Sequence, residues 1–274
     1  MKRFIVLLVS VLIAAPGIAF AADTADNPKS DEPTYDLTLY LWGTSVAGQV
    51  DTDRGEFDTH ISFSDLLKNL NFAAMLRGRA QFGKFSIVSD LEYFDLESDR
   101  ESTTLRFGPR GNIKVPVSGK AELNQWIVEL NGGYQIFNLK GPFSAGPSDE
   151  RGTIGELYAG GRYVALKPVL DWEVGPFSDK TGEWERWIDA VVGARVGIDL
   201  SKTVVLGIQG DVGGFNIGNS SKFAWSQITS LSWHFSDSLI LSLGYKFLDV
   251  KKDHGDNQID IQLRGPFAAM TARF

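Results

Sequence analysis

Residues 72–93 read FAAMLRGRAQFGKFSIVSDLEY and contain two runs of alternating residues separated by Gly83-Lys84. In each run, most apolar residues occupy one set of alternate positions, and most polar or charged residues occupy the other. Because successive side chains of a β-strand point to opposite faces, each run predicts a strand with one apolar and one polar face. A short glycine-containing connection between two such runs indicates a tight β-hairpin.

The same alternation recurs along most of the chain. Ten candidate strands begin near residues 35, 72, 85, 125, 157, 188, 204, 225, 239 and 259. A transmembrane β-barrel produces this pattern, since each strand presents one face to lipid and the other to a polar interior. We therefore predict an all-β fold, a single antiparallel transmembrane β-barrel of ten strands, with eight or twelve strands as the alternatives.

The connections between the candidate strands alternate in length. Tight turns are predicted at 83–84, 201–202 and 236–238, and long polar connections at 44–71, 97–121, 167–184, 216–222 and 250–258. In outer-membrane barrels the short turns are periplasmic and the long loops extracellular. The connection 138–152 is long where a short turn is due. We interpret it as a periplasmic loop, although a hidden strand pair there would give twelve strands.

Two local irregularities are also predicted. Phe63, Leu66, Leu67 and Leu70 are spaced as one face of a short helix within the first long connection. That helix would either narrow the mouth of the barrel or lie on its rim. Gly265-Pro266 should disturb the last strand, because proline cannot donate a backbone hydrogen bond to its neighbour.

The N-terminus has the pattern of a secretory signal peptide. Lys2 and Arg3 precede an apolar run too short to span a membrane, and Ala19-Phe20-Ala21 is a small-x-small cleavage pattern. We predict a signal peptide at 1–21, a flexible periplasmic lead-in at 22–33 and the barrel at 34–274. This arrangement predicts export to the cell outer membrane.

Composition excludes several classes of function. The formal net charge is −7, and it becomes −9 when Lys2 and Arg3 leave with the signal peptide. An acidic chain with a pI near 5.1 does not favour nucleic acid as a partner. The absence of cysteine excludes disulfides and thiol chemistry. No phosphate-binding loop, dinucleotide motif or metal-ligand pattern is present in the sequence, so we expect neither a cofactor nor a metal.

The C-terminal residues 269–274, AMTARF, resemble the terminal signature by which the barrel-assembly machinery recognises outer-membrane barrels. Further segments resemble small porin-like outer-membrane β-barrel proteins of Gram-negative bacteria, and they are GRY at 161–163, VGAR at 192–195, GDVGGF at 210–215, LGYKF at 243–247 and RGPF at 264–267. The resemblance covers most of the chain after the signal peptide. It implies a monomeric barrel in contact with outer-membrane lipid and lipopolysaccharide, no assigned chemistry, and a role for Phe274 in assembly.

Charged residues at inward-facing positions are the strongest candidate site. They form a predicted lumen charge network of Arg77, Arg79, Asp90, Glu92, Glu129, Arg162, Asp189, Arg195, Asp211 and Lys246, with Asp36 as a further inward carboxylate. The Gly83-Lys84 turn predicts that Arg77 faces Asp90. Counting from the strand ends places Glu129 beside Arg162. The set is either a charged pathway for solutes or a paired polar core that fills a narrow barrel, and we favour the core.

Aromatic residues and histidines suggest weaker alternatives. Six tryptophans near strand ends are interpreted as interfacial girdles rather than as a sugar-binding surface, and they are Trp126, Trp172, Trp184, Trp187, Trp225 and Trp233. Among the three histidines, His234 falls beside a short turn, whereas His60 and His254 fall in outer connections. No lipase-like arrangement surrounds them, so we expect no catalytic function.

The sequence therefore predicts a structural barrel or a narrow passive pore for small solutes. A surface protein that binds or adheres through its long loops is the first alternative. An enzyme located at the rim is the second.

Overall fold

The computed structural model describes residues 33–52, 55–61, 70–107, 113–141, 152–174, 177–181, 183–254 and 257–274. The described part of the chain is built from thirteen strands. They are β1 (Thr34–Trp42), β2 (Ser45–Thr52), β3 (Gly55–Ile61), β4 (Leu70–Phe82), β5 (Phe85–Phe107), β6 (Ile113–Lys140), β7 (Gly152–Val174), β8 (Phe177–Thr181), β9 (Glu185–Asp199), β10 (Val204–Gly214), β11 (Phe223–His234), β12 (Leu239–His254) and β13 (Asn257–Arg273).

Ten of these strands close into a barrel. The hydrogen-bonded order is β1-β4-β5-β6-β7-β9-β10-β11-β12-β13, and β13 returns to pair with β1. The closing register joins Asp36 to Arg273, and every pairing is antiparallel. The predicted ten-stranded barrel is confirmed, and the alternatives of eight and twelve strands are wrong.

Local sequence sets the register of the β4–β5 hairpin. Gly83 has a φ of 56° and occupies the first position of a two-residue turn, where a positive φ suits the twist of the flanking strands. The turn places Phe82 opposite Phe85 and, five residues further along each strand, Arg77 opposite Asp90. The predicted register is therefore the observed one.

The two ends of the barrel differ. We call the end with the connections at 83–84, 200–203 and 235–238 the short-turn end, and the opposite end the extended end. Both the start of β1 and the end of β13 lie at the short-turn end. The predicted polar loops at the extended end are largely β-structure instead. Strands β5, β6 and β7 contain 23, 28 and 23 residues, although about 9–11 suffice to cross a membrane.

The strands outside the closed path also belong to the extended end. After a break at Gly43-Thr44, β2 pairs with the part of β13 that lies beyond its pairing with β1, on the side of the extended end. The chain then reverses into β3, which pairs with β2. Strand β8 likewise pairs with the end of β7. The long polar connections predicted at 44–71 and 167–184 therefore contain β-hairpins, which were not predicted because these segments lack the regular alternation of the barrel strands. The predicted irregularity at Gly265-Pro266 coincides with the change of partner on β13 from β1 to β2.

Two other predictions fall mainly on residues that the structure does not describe. The proposed helix includes 62–69, which lie outside the described residues, whereas Leu70 begins β4. Most of the unusual connection 138–152 is also outside them, although its ends continue the β6–β7 ladder as far as Lys140 opposite Gly152. Within the described ranges, no helix is long and apolar enough to cross a membrane.

The outer face of the barrel is apolar between two levels of aromatic residues. Near the short-turn end, the rings of Phe85 and Tyr134 are 4.9 Å apart, and eight residues further along these strands those of Tyr93 and Trp126 are 4.4 Å apart. Eight residues span about 26 Å along a strand, or about 20 Å along the axis of a barrel whose strands tilt by about 40°. That separation fits an apolar band about 25 Å tall.

Candidate functional site

The ten charged residues of the predicted lumen network occupy the barrel interior. Seven are buried, and they are Asp90, Glu92, Glu129, Arg162, Asp189, Asp211 and Lys246. The other three, Arg77, Arg79 and Arg195, line a cavity inside the barrel. A charge is costly to bury without a partner. The partners of each residue therefore show what the set does.

Arg162 is the centre of the first group. Its guanidinium donates from Nε to Glu129 Oε1 at 2.6 Å and from Nη2 to Asp211 Oδ1 at 2.8 Å. The side chain of Arg162 is 1% exposed, and that of Asp211 is fully buried. The second oxygen of Asp211 accepts from the hydroxyls of Tyr158 and Ser226. Strands β6, β7, β10 and β11 are thus joined through one buried cation and two carboxylates.

A second group joins β1, β4, β5 and β12. Arg77 donates to Asp90 Oδ2 from Nε at 3.0 Å and from Nη2 at 2.6 Å, as their facing positions require. The Tyr40 hydroxyl lies 2.7 Å from Asp90 and 2.9 Å from Glu92. Lys246 forms an ion pair with Glu92 from another part of the wall, and its ammonium lies 4.8 Å from the centre of the Trp42 ring.

A third group lies nearer the short-turn end and contains a residue that the sequence analysis missed. Glu156 on β7 accepts from Arg79 Nη2 at 2.7 Å, from the Ser86 hydroxyl at 2.9 Å and from Arg195. Glu156 lies two residues before Tyr158, so the alternation of β7 places both side chains on the inward face. The strand predicted from the sequence begins at position 157, so Glu156 lies just outside it. At the mouth beyond this group, Arg273 binds Asp36 through two hydrogen bonds.

Asp189 differs from the other members of the set. Although it lies opposite Arg162 in the β7–β9 register, Arg162 binds other carboxylates. The carboxylate of Asp189 instead accepts from the Ser221 amide at 2.7 Å, the Ser221 hydroxyl at 2.8 Å and Trp187 Nε1 at 3.2 Å. It therefore anchors the connection between β10 and β11, in which Phe215 and Asn216 have positive φ angles.

An apolar cluster fills the interior between the charged groups and the extended end. Its buried residues are Tyr40, Trp42, Met75, Ile127, Val164, Trp187, Ala224, Leu248, Val250 and Leu263. The predicted paired polar core does not extend to this level. The assignment of Trp187 to a girdle was wrong, because the residue is 4% exposed and belongs to this interior cluster. Trp126 and Trp233 are exposed on the outer wall, as a girdle requires.

Of the three histidines, the structure describes the side chain of one. His234 is half-buried at the short-turn end and lines the interior cavity. The side chains of His60 and His254 lie outside the described residues. Among the described side chains, no group of three or more carboxylates and imidazoles is placed to hold a metal ion.

A closed barrel of antiparallel strands is the fold of outer-membrane β-barrel proteins, and this chain closes its barrel with ten strands. No known family profile and no curated protein sequence matches the chain.

Similar solved structures are outer-membrane barrel proteins. The outer membrane protease OmpT from Escherichia coli is 11% identical, with a TM-score of 0.50, over 92% of this chain and 99% of OmpT. The translocator domain of the autotransporter NalP from Neisseria meningitidis is 12% identical, with a TM-score of 0.42, over 90% and 91% of the two chains. At an identity of 11%, the similarity to OmpT shows a shared fold and nothing more.

Proposed function

We propose that this protein is an outer-membrane barrel whose interior is closed to solutes and whose role is structural rather than catalytic. The observation that carries the proposal is the filled interior. Paired charges occupy the middle of the barrel, and the apolar cluster around Trp42 and Trp187 fills the level above them. Narrow barrels are commonly filled by side chains in this way, whereas wide porins hold a water channel.

The outer wall supports the proposed location. The separation of the two aromatic levels, about 20 Å, is close to the height of about 25 Å of the apolar band in outer-membrane barrels, and this band would contact outer-membrane lipid and lipopolysaccharide directly. In that orientation the short-turn end faces the periplasm and the extended end faces the cell exterior. The similarity to a protease adds no catalytic role here, because it is a similarity of fold.

Conductance of the purified protein in planar bilayers tests the closed interior. We expect no steady conductance above that of the bare membrane, with insertion verified separately by protection from added protease. A variant with Trp42, Trp187 and Lys246 all replaced by alanine provides a matched control, because it removes side chains from both filled levels and should conduct. Steady conductance by the unaltered barrel would instead support the narrow pore.

The length of the extended end favours a second function, binding at the cell surface. Strand β5 continues 14 residues beyond Tyr93, from 93 to Phe107, or roughly 46 Å of extended chain, and β6 pairs with it over this length. A structural barrel alone has no need of such a projection. In the register of this hairpin, Glu97 lies opposite Glu122, so the segment between them can be replaced by a two-residue turn.

The shortened variant separates the two functions. If the hairpin binds a partner, cells producing the shortened protein should lose adherence to host-cell or abiotic surfaces while the amount of folded barrel is unchanged. Shortening the β2–β3 hairpin by a similar replacement is the matched control. Equal adherence of cells with full-length and shortened β5–β6 hairpins would exclude binding through this hairpin.

A further inference from the structure

A cavity of about 220 Å³ opens inside the barrel at the short-turn end. Side chains from eight of the ten barrel strands line it, so it is enclosed by the barrel wall rather than by surface loops. We propose that this cavity binds a small tetrahedral oxyanion of the size of phosphate or sulfate. It is smaller than the 300–1,000 Å³ typical of pockets for drug-sized ligands, which fits an ion of this size with a few waters.

The charge of the lining selects for an anion. The lining contains four arginines and His234, but Asp36 is its one carboxylate. Arg273 is engaged by Asp36, and Arg77 is engaged by Asp90 behind the cavity wall. The two remaining arginines share one carboxylate. A concave site with low-dielectric walls concentrates the field of such a surplus cation and raises the local concentration of anions.

The surplus charge is located at Arg79 and Arg195. Both guanidinium groups donate to Glu156, so three charged side chains carry a net charge of +1. These arginine side chains are 33% and 13% exposed, which leaves them accessible from the cavity yet partly desolvated. Two guanidinium groups held by one carboxylate form a preorganised pair of donors for the oxygens of a phosphate or sulfate.

Free hydrogen-bond donors accompany this charge. Nη2 of Arg195 is buried without a partner among the described residues. Arg195 Nε donates to Gln209 Oε1 at 3.1 Å, which orients the amide so that Gln209 Nε2 is directed away from the guanidinium. The Ser232 and Ser242 hydroxyls lie 2.8 Å apart on the lining, and one of the two protons is free to point into the cavity. Two neutral donors, the Gln209 amide and one serine hydroxyl, thus line the cavity together with the two arginines, a combination that suits an oxyanion.

Titration calorimetry of the purified, folded barrel with inorganic phosphate and with sulfate tests the site. We expect saturable binding of at least one of them. Arg195→Gln should weaken it by about tenfold or more, because a charged hydrogen bond and the surplus charge are both lost. Arg264→Gln is the matched control, because Arg264 is exposed and does not line the cavity. This variant should bind phosphate and sulfate with the same affinity as the unaltered protein.

The Gln209→Glu variant distinguishes a loss of anion binding caused by the changed charge from a loss caused by misfolding. The new carboxylate would pair with Arg195 and cancel the surplus charge without removing any existing ion pair, so the barrel should remain folded and heat-modifiable on gels while anion binding is lost. Absence of phosphate and sulfate binding by the unaltered protein at millimolar concentrations would overturn the proposal. Equal binding by the Gln209→Glu and Arg264→Gln variants would overturn it as well. Neither result bears on whether the barrel conducts.

Discussion

Replacement of Arg162 by glutamine tests whether the middle of the barrel is dry. Glutamine keeps much of the length of the side chain but removes the charge that compensates both Glu129 and Asp211. The side chains of Arg162, Glu129 and Asp211 are 1%, 10% and 0% exposed, respectively. When one partner is removed from a buried pair, the remaining charge is left uncompensated, at a cost of about 3–5 kcal/mol. Because two carboxylates lose their partner here, we expect the upper part of that range.

The matched control is the same substitution at Arg273, which binds Asp36 at the mouth. The side chains of this pair are 37% and 16% exposed. Water and salt screen such a pair, so Arg273→Gln should lower the free energy of unfolding by about 1 kcal/mol or less. Reversible urea unfolding in lipid vesicles, followed by tryptophan fluorescence, measures both variants under identical conditions.

A rescue variant separates charge from packing. When Glu129→Gln and Asp211→Asn accompany Arg162→Gln, no uncompensated charge remains, and most of the lost free energy of unfolding should return. Failure of the rescue would assign the loss to packing or hydrogen-bond geometry. If Arg162→Gln costs no more than Arg273→Gln, the interior is hydrated at this level, and the reasoning for a closed barrel is refuted.

Three further predictions concern other levels of the barrel. Asp90→Asn should destabilise the protein clearly, and adding Arg77→Gln should restore part of the loss; a double variant no more stable than Asp90→Asn would argue against their direct pairing. Phe274→Ala should reduce the amount of barrel in the outer membrane, measured by heat-modifiable migration on gels, and unchanged amounts would remove the support for an assembly signal. A cysteine at Lys180 should react with an impermeant reagent on intact cells and one at Lys202 should not, whereas the reverse labelling would invert the proposed orientation.

The local features of this protein could be read from its sequence. Strand alternation has a period of two, so it identifies the ten barrel strands and the inward face of each without any knowledge of the fold. The Gly83-Lys84 turn likewise determines its hairpin register, and with it the pairing of Arg77 and Asp90. The same rule places Glu156 inward, so its omission was an error in applying the pattern to β7.

Contacts across the interior depended on the tertiary structure. Lys246 and Glu92 are 154 residues apart in the sequence and lie on non-adjacent strands. Arg79 and Glu156, which also form an ion pair, likewise lie on non-adjacent strands. Which inward side chains meet depends on the number, tilt and stagger of all ten strands together, and no local pattern contains that information. For the same reason, Arg162 could be placed beside Glu129 on the neighbouring strand, but its bond to Asp211 could not be foreseen.

The closure of the interior and the length of the extended end also required the structure. Trp42 and Trp187 occupy inward positions of their strands, yet only the closed barrel brings them into one apolar cluster. The strands beyond the apolar band lack the regular alternation of the barrel strands, so their sequence resembles that of a polar loop. Alternation therefore determined the barrel and its inward faces, whereas ring closure decided which of those side chains meet and fill it.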